Sequence, residues 1–355
     1  TRTRHTRGCV RSRGLGDVYK RQASGVLEDF RQDHPDHELN ADATKQLAHI
    51  YREDGQIARS AAEHERISAE ATDPDLSREA LLTAGEMYDE VHAMDDAIRV
   101  YEQYVDAWPL PLDLAMETRT RLSEIYHGQS DFQRFFDELN EIVEKDREAG
   151  PERTDRSRFL ASKAALVLSE RVFEQFERTR LTQPFEQSLA LKRQQMDETL
   201  VAMEGLVDYE VAEVTAAATY YIAEVYLNFS ASLLESERPE GMTAAEANAY
   251  EMVLEEEAYP FEEQGIEVHE ANFELLAGGI YNPWVQKSLD HLADLMPGRY
   301  AKRETTEGYL GGAEVYAYRM PITASPIVSD ATAEPADTNV TEPPVVLTND
   351  MGAAE

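Results

Sequence analysis

A single cysteine, Cys9, in 355 residues leaves no partner for an intramolecular disulfide and too few thiolates for a cysteine zinc cluster. Basic residues are scarce as well: 34 Lys and Arg stand against 69 Asp and Glu, a formal net charge of −35. Nucleic-acid binding needs clusters of lysine and arginine against the phosphates, and this balance argues against it. An anionic membrane surface is disfavoured for the same reason. No apolar run approaches the ~18 residues of a membrane-spanning helix. Hydrophobic residues still make up 42% of the chain, enough to build a core. The length suits about two domains or one longer repeat array. Near absence of cysteine fits cytosol and periplasm alike.

The stretch Arg78–Pro111 organises the rest. With Arg78 as position 1, Leu81 falls at 4, Ala84 at 7, Gly85 at 8 and Tyr88 at 11. Met94 follows at 17, Ala97 at 20, Tyr101 at 24, Tyr104 at 27 and Pro109 at 32. The 3.6-residue spacing predicts two amphipathic helices. Gly85 and Ala97 must be small, because larger side chains there would hold the paired helices apart. At these residues the segment resembles the tetratricopeptide repeat. That resemblance implies an all-α fold: a right-handed superhelix of helical hairpins that binds peptides on its concave face.

Two weaker copies flank it. Residues 41–74 place Leu47, Ala48 and Tyr51 at positions 7, 8 and 11, with Gly55 in the turn; residues 116–149 place Leu122, Ser123 and Tyr126 there. Phe135 occupies the small position 20 of the third copy, which predicts a wider helix pair. Tyr51, Tyr88 and Tyr126 lie 37 and 38 residues apart. The family period is about 34, so the loops at Asp73-Pro74 and Pro109–Pro111 absorb the difference. Residues 24–37 read as the second helix of a truncated earlier repeat.

The ends differ in composition. Residues 1–22 carry seven basic residues and one acidic, leaving 27 of the 34 basic and 68 of the 69 acidic residues to the remainder. The segment lacks the apolar stretch of a signal peptide. Asp17–Gln22, DVYKRQ, resembles a translated transposon-end sequencing adapter, so residues 1–22 are read as non-native and the repeats are assigned to 23–150. Gly150-Pro151 marks a stop. Longer repeat-like hairpins with a capping region are expected over 151–304. Thr154 or Asp155 is placed to cap the first helix, Thr243 with Glu246 forms a capping box, and Pro260 is a potential kink. A last helix is predicted over Pro283–Leu295, with Trp284, Leu289, Leu292 and Leu295 inward. From 305 to 355 the periodicity is lost, and the Pro-, Thr-, Ala- and acid-rich composition predicts disorder beyond a short strand at Glu314–Tyr318.

First-helix positions 2, 5, 9 and 12 line the concave face in the repeat family. By that resemblance the groove residues are Asp42, Lys45, His49 and Arg52; Glu79, Leu82, Glu86 and Asp89; and Glu117, Thr120, Glu124 and His127. They suggest an acidic groove for a basic or polar protein or peptide segment, and equally an ordinary solvated face of a very acidic chain. Carboxylate clamping of the kind some relatives use has only Lys45 and Arg52 to draw on. No catalytic constellation, metal site or cofactor site is expected. His34 and His37 straddle Pro35, Glu267, His269 and Glu270 read as helix surface, and Glu255–Glu257 as a solvated face. The pair Glu235-Ser236 resembles that of lytic transglycosylases but lacks the accompanying lysozyme-like domain. Tyr220, Tyr221, Tyr226 and Phe229 read as packing.

Residues 155–305, with Tyr259–Glu304 as their densest part, resemble the C-terminal region of bacterial envelope repeat proteins found beside Tol/Exb-type motors. This implies a periplasmic or outer-membrane-associated scaffold, with Tyr281, Trp284 and Tyr300 as partner contacts or as the superhelix cap. The expected function is non-enzymatic protein binding. Two alternatives stay open: the recognition region of a larger enzyme, and a cytosolic assembly factor.

Overall fold

The computed structural model describes residues 19–301, and they form an all-α structure with no strand among them. Helix α1 occupies residues 19–33. Three hairpins of similar length follow: α2 (Asn40–Glu53) with α3 (Ile57–Glu70), α4 (Pro74–Glu90) with α5 (Met94–Ala107), and α6 (Leu112–Gly128) with α7 (Phe132–Glu148). The helices then lengthen into α8 (Asp155–Arg178), α9 (Phe185–Glu204), α10 (Ala212–Leu234) and α11 (Ala244–Glu274). Helix α12 (Pro283–Leu295) and the single turn α13 (Pro297–Tyr300) close the described chain. From α2 on, each helix packs on the next, and from α6 on the even-numbered helices also touch one another. This is consecutive hairpin packing compatible with a helical-repeat solenoid. The strand predicted at Glu314–Tyr318 and the disorder predicted for 305–355 fall outside the described residues, as does most of the basic segment.

Why these residues pair is visible at three places. At the small positions, Ala84 and Ala97 have no exposed surface and Gly85 sits directly against the Tyr101 ring, so the α4 and α5 backbones come close. The repeat tyrosines Tyr51, Tyr88 and Tyr126 are all buried, and each hydroxyl needs a partner. Each finds a glutamate on the preceding odd-numbered helix: Glu28, Glu65 and Glu102. An arginine on the following helix completes the set. Arg59 pairs with Glu28 at 3.4 Å, Arg99 with Glu65 at 2.6 Å and Arg134 with Glu102 at 3.9 Å. Through Glu28, α1 takes the place that α3 and α5 take for the next tyrosines, although it spans residues 19–33 and not the expected 24–37.

The hairpin turns recur too. Gly55, His92 and Ser130 all have left-handed backbone, with φ of 74°, 58° and 62°. In each turn the following N–H reaches back to the tyrosine carbonyl: Gln56 to Tyr51, Ala93 to Tyr88 and Asp131 to Tyr126, at 2.8, 2.9 and 2.9 Å. A left-handed non-glycine residue costs about 1–2 kcal/mol, and glycine's extra freedom in the unfolded chain returns about half of that. His92→Gly and Ser130→Gly are therefore each expected to raise stability by about 0.5–1 kcal/mol in urea unfolding. A lower midpoint in both would refute the strain.

In the second half, Thr154 caps α8 and Thr243 caps α11, both through reciprocal capping boxes. The exposed Pro260 lies inside α11 without ending it. Two expectations need correction. Leu295 is exposed; Leu292 is buried as expected, and Val285 and Ser288, outside the predicted inward set, are buried with it. His269, expected on the helix surface, is completely buried, because α12 folds back over that side of α11.

Candidate peptide-binding groove

The residues at first-helix positions 2, 5, 9 and 12 are three or four apart, so each set shares one helix face. Lys45, His49, Arg52 and Glu79 line a first cleft of about 410 Å³, together with His64, Leu76 and Met87. Leu82, Glu86, Asp89 and Glu117 line a second, of about 300 Å³, beside Tyr101 and Arg121. Glu124 and His127 open a third and larger cleft of about 1280 Å³. Its other walls are Phe132, Phe135 and Phe136 from α7, and Val167, Glu170, Arg171 and Glu174 from α8. Ten of the twelve residues at these positions thus border one of three successive clefts, and Asp42 and Thr120 border none of them. Tyr281, Trp284 and Tyr300 lie elsewhere, near the end of the described chain.

The charges are not all available. Asp89 is held by Arg121 of the next even-numbered helix, at 2.5 and 2.8 Å, and Arg121 also reaches Glu124 at 2.6 Å. Glu117 is likewise taken by Arg156 of α8 at 2.7 Å. These carboxylates tie neighbouring hairpins together. Glu79 and Glu86 have no ion-pair partner among the described residues. Desolvation raises the Glu86 carboxyl above its ordinary pKa, so an incoming cation would favour its charged form. In the first cleft the sign reverses, with Lys45 and Arg52 on α2. His64 nearby has a lowered pKa, from burial first and then from the charge of Arg52.

The third cleft has an aromatic wall. The His127 ring packs at 5.8 Å from Phe132 and 5.0 Å from Phe135, and Phe135 packs at 5.0 Å from Phe136. The Arg171 guanidinium lies 4.2 Å from the Phe136 ring centre, a cation–π contact. Phe132 is 52% exposed although it is a large apolar group. Phe136, Arg171, Glu170 and Glu174 were not among the sequence candidates. The available signal was Phe135 at a position that prefers alanine: it lines the largest of the three clefts.

At the C-terminal end, Trp284 packs against Tyr220 and Tyr221 at 5.6 and 5.3 Å, with the Lys287 ammonium 3.9 Å from its ring. The Tyr300 hydroxyl donates to Glu270 at 2.7 Å. Tyr281 is 67% exposed. His34 and His37 both pack on Phe30, at 5.5 and 5.3 Å.

The fold and clefts define an all-α array of sequentially packed hairpins with a grooved face. No protein-family model matches the chain, and no curated protein matches it. A solved chain described as "Computational Design of Self-Assembling Cyclic Protein Homooligomers" aligns over 80% of this chain and 93% of its own, at 12% identity and a TM-score of 0.24. That similarity is too low to carry an argument about fold or function.

Proposed function

We propose that this chain is a non-enzymatic binding protein, a right-handed tetratricopeptide-like superhelix that holds a peptide or helix of a protein partner along its inner face. The observation that carries this reading is the aromatic wall of the third cleft. An exposed Phe132 beside His127, Phe135 and Phe136 suits an apolar anchor residue; at the rim Glu124 and Glu174 already pair with Arg121 and Arg178, and Glu170 accepts from the Tyr221 hydroxyl. Aromatic contacts of this kind carry most of the energy at protein interfaces, and rim charges set specificity and association rate. A net charge of −35 favours a basic segment over an acidic one. Glu86 extends the same preference into the second cleft. The resemblance of residues 155–305 to envelope repeat proteins supports a scaffold role at the bacterial envelope; the native upstream sequence tests that part, through a signal peptide or lipobox.

The binding reading is tested by selecting displayed 12-residue peptides on the full chain. Selected peptides are expected to combine an aromatic or leucine anchor with Lys or Arg. Phe132→Ala should weaken them about tenfold, with unchanged helicity. Glu86→Lys should weaken those that reach the second cleft. Asp89→Lys is a poor probe, because it breaks the Arg121 bridge between hairpins. A selection that returns no binders, or binders indifferent to Phe132→Ala, rejects the groove.

A further inference from the structure

Three helices converge on a polar cluster that the groove does not use. Glu224 projects from α10, His269 from α11 and His291 from α12. One carboxylate oxygen, Glu224 Oε1, lies 3.1 Å from His269 Nε2 and 2.8 Å from His291 Nδ1. The three potential ligand atoms all lie within 4.8 Å of one another. Ligands of a tetrahedral zinc ion, bonded at about 2.0–2.2 Å, sit roughly 3.3 Å apart. The two measured edges therefore fall within about 0.5 Å of that spacing, and the third, between the two imidazole nitrogens, is no longer than 4.8 Å.

From this geometry we infer a divalent transition-metal site of the zinc class, formed by Glu224, His269 and His291. Two imidazoles and one carboxylate are the ligand set that this class of cation prefers over calcium or magnesium, which take oxygen. The surroundings are those of a built site. His269 is fully buried and its other ring nitrogen, Nδ1, lies 3.1 Å from Ser288 Oγ. Ser288 Oγ also accepts from Asn272 Nδ2 at 2.8 Å, and Asn272 Nδ2 reaches the Ala216 carbonyl at 3.1 Å. Ser288 and Asn272 are both fully buried. The contact between Nδ1 and Ser288 Oγ holds the ring so that Nε2 faces the Glu224 carboxylate. Such orientation of a histidine ligand by a hydrogen bond at its far nitrogen is a recurring feature of metal sites.

The site has an entrance. The His291 side chain is 40% exposed and that of Glu224 19%, against none for His269. Three protein ligands leave a fourth position, which opens on the His291 side to water or to a donor atom from a partner. The Tyr220 hydroxyl lies 3.4 Å from His291 Nε2, and its ring packs on both histidines, at 5.6 and 5.7 Å. The ion would pin α10, α11 and α12 together where the array's last apolar face needs closure.

Zinc chloride titrated into the EDTA-stripped full chain tests this, read by calorimetry and by elemental analysis after gel filtration. One equivalent is expected to bind and to raise the melting temperature. His291→Ala removes an exposed ligand and should leave the helical circular dichroism unchanged while weakening zinc at least a hundredfold. Ser288→Ala, a positioning residue, should weaken it about 10–100-fold. The double substitution His34→Ala/His37→Ala should bind as the wild type does. Wild-type protein that takes up no stoichiometric zinc, or His291→Ala protein that binds it equally well, overturns the site.

Discussion

Replacing Gly85 with leucine should unfold the second hairpin. A Cβ at Gly85 would stand 2.5 Å from Tyr101 Cε1 and 2.7 Å from Cδ1, closer than real atoms approach. The ring cannot swing aside. Tyr101 is 3% exposed and packed in one core with Tyr88, Tyr104, Leu122 and Tyr126. Alanine poses the sharper question, because two effects oppose. Glycine to alanine inside a helix gains about 1 kcal/mol of propensity, while overpacking a filled core costs about 1–3 kcal/mol. The contact distance decides for overpacking, so Gly85→Ala should lose up to about 2 kcal/mol and Gly85→Leu about 3 kcal/mol or more. Gly25 in α1 provides the contrast: nothing lies within 4 Å of its Cβ position, and Gly25→Ala should gain up to about 1 kcal/mol. Urea denaturation followed by circular dichroism measures all three. A Gly85→Ala protein more stable than the wild type would show that the ring yields and the close approach is not required.

The second large effect belongs to Lys192. Its side chain is fully buried in α9. The ammonium donates to the Phe176 carbonyl and to Asn228 Oδ1, both at 2.7 Å, and lies 3.9 Å from the Phe176 ring. Phe176 is in the last turn of α8, and its carbonyl also accepts from the Thr179 N–H at 3.1 Å, so Lys192 adds a cation from a neighbouring helix at the C-terminal end of α8. Lys192→Ala leaves a cavity and removes a donor from two acceptors, for an expected loss of about 3–5 kcal/mol. Lys192→Met keeps the volume and isolates the charge. Burial lowers the ammonium to a pKa of about 8, against about 10.4 in an unfolded chain. Below pH 8 both states are protonated and the full desolvation penalty applies. Between about 8 and 10.4 the folded state holds fewer protons, so this group's contribution to stability rises with pH. Wild type should therefore gain about 2 kcal/mol on Lys192→Met between pH 7 and 9.5. A difference between the two proteins that stays constant with pH would remove the charged-burial account.

Much of the helical framework is readable along the chain. Tyr88, Gly85 and Ala97 announce a hairpin because helix periodicity is a local property, fixed by 3.6 residues per turn. Thr243 with Glu246 marks a helix start for the same reason: capping is settled within four residues. The groove candidates are legible in the same way, since residues 2, 5, 9 and 12 of one helix share a face whatever packs beside it.

What those residues do was decided by tertiary structure. Asp89 reads as a free groove acid, yet Arg121, 32 residues later, takes it; Arg156 takes Glu117 from 39 residues away. The aromatic wall joins α7 to α8 through Phe136 and Arg171. Glu224, His269 and His291 are separated by 45 and 22 residues and belong to no short motif. Their meeting depends on how α10, α11 and α12 cross, which is set by the packing of whole helix faces. The sequence alone determined which faces of these helices are apolar. How those faces pack determines which charges stay available to a partner, and which histidines meet.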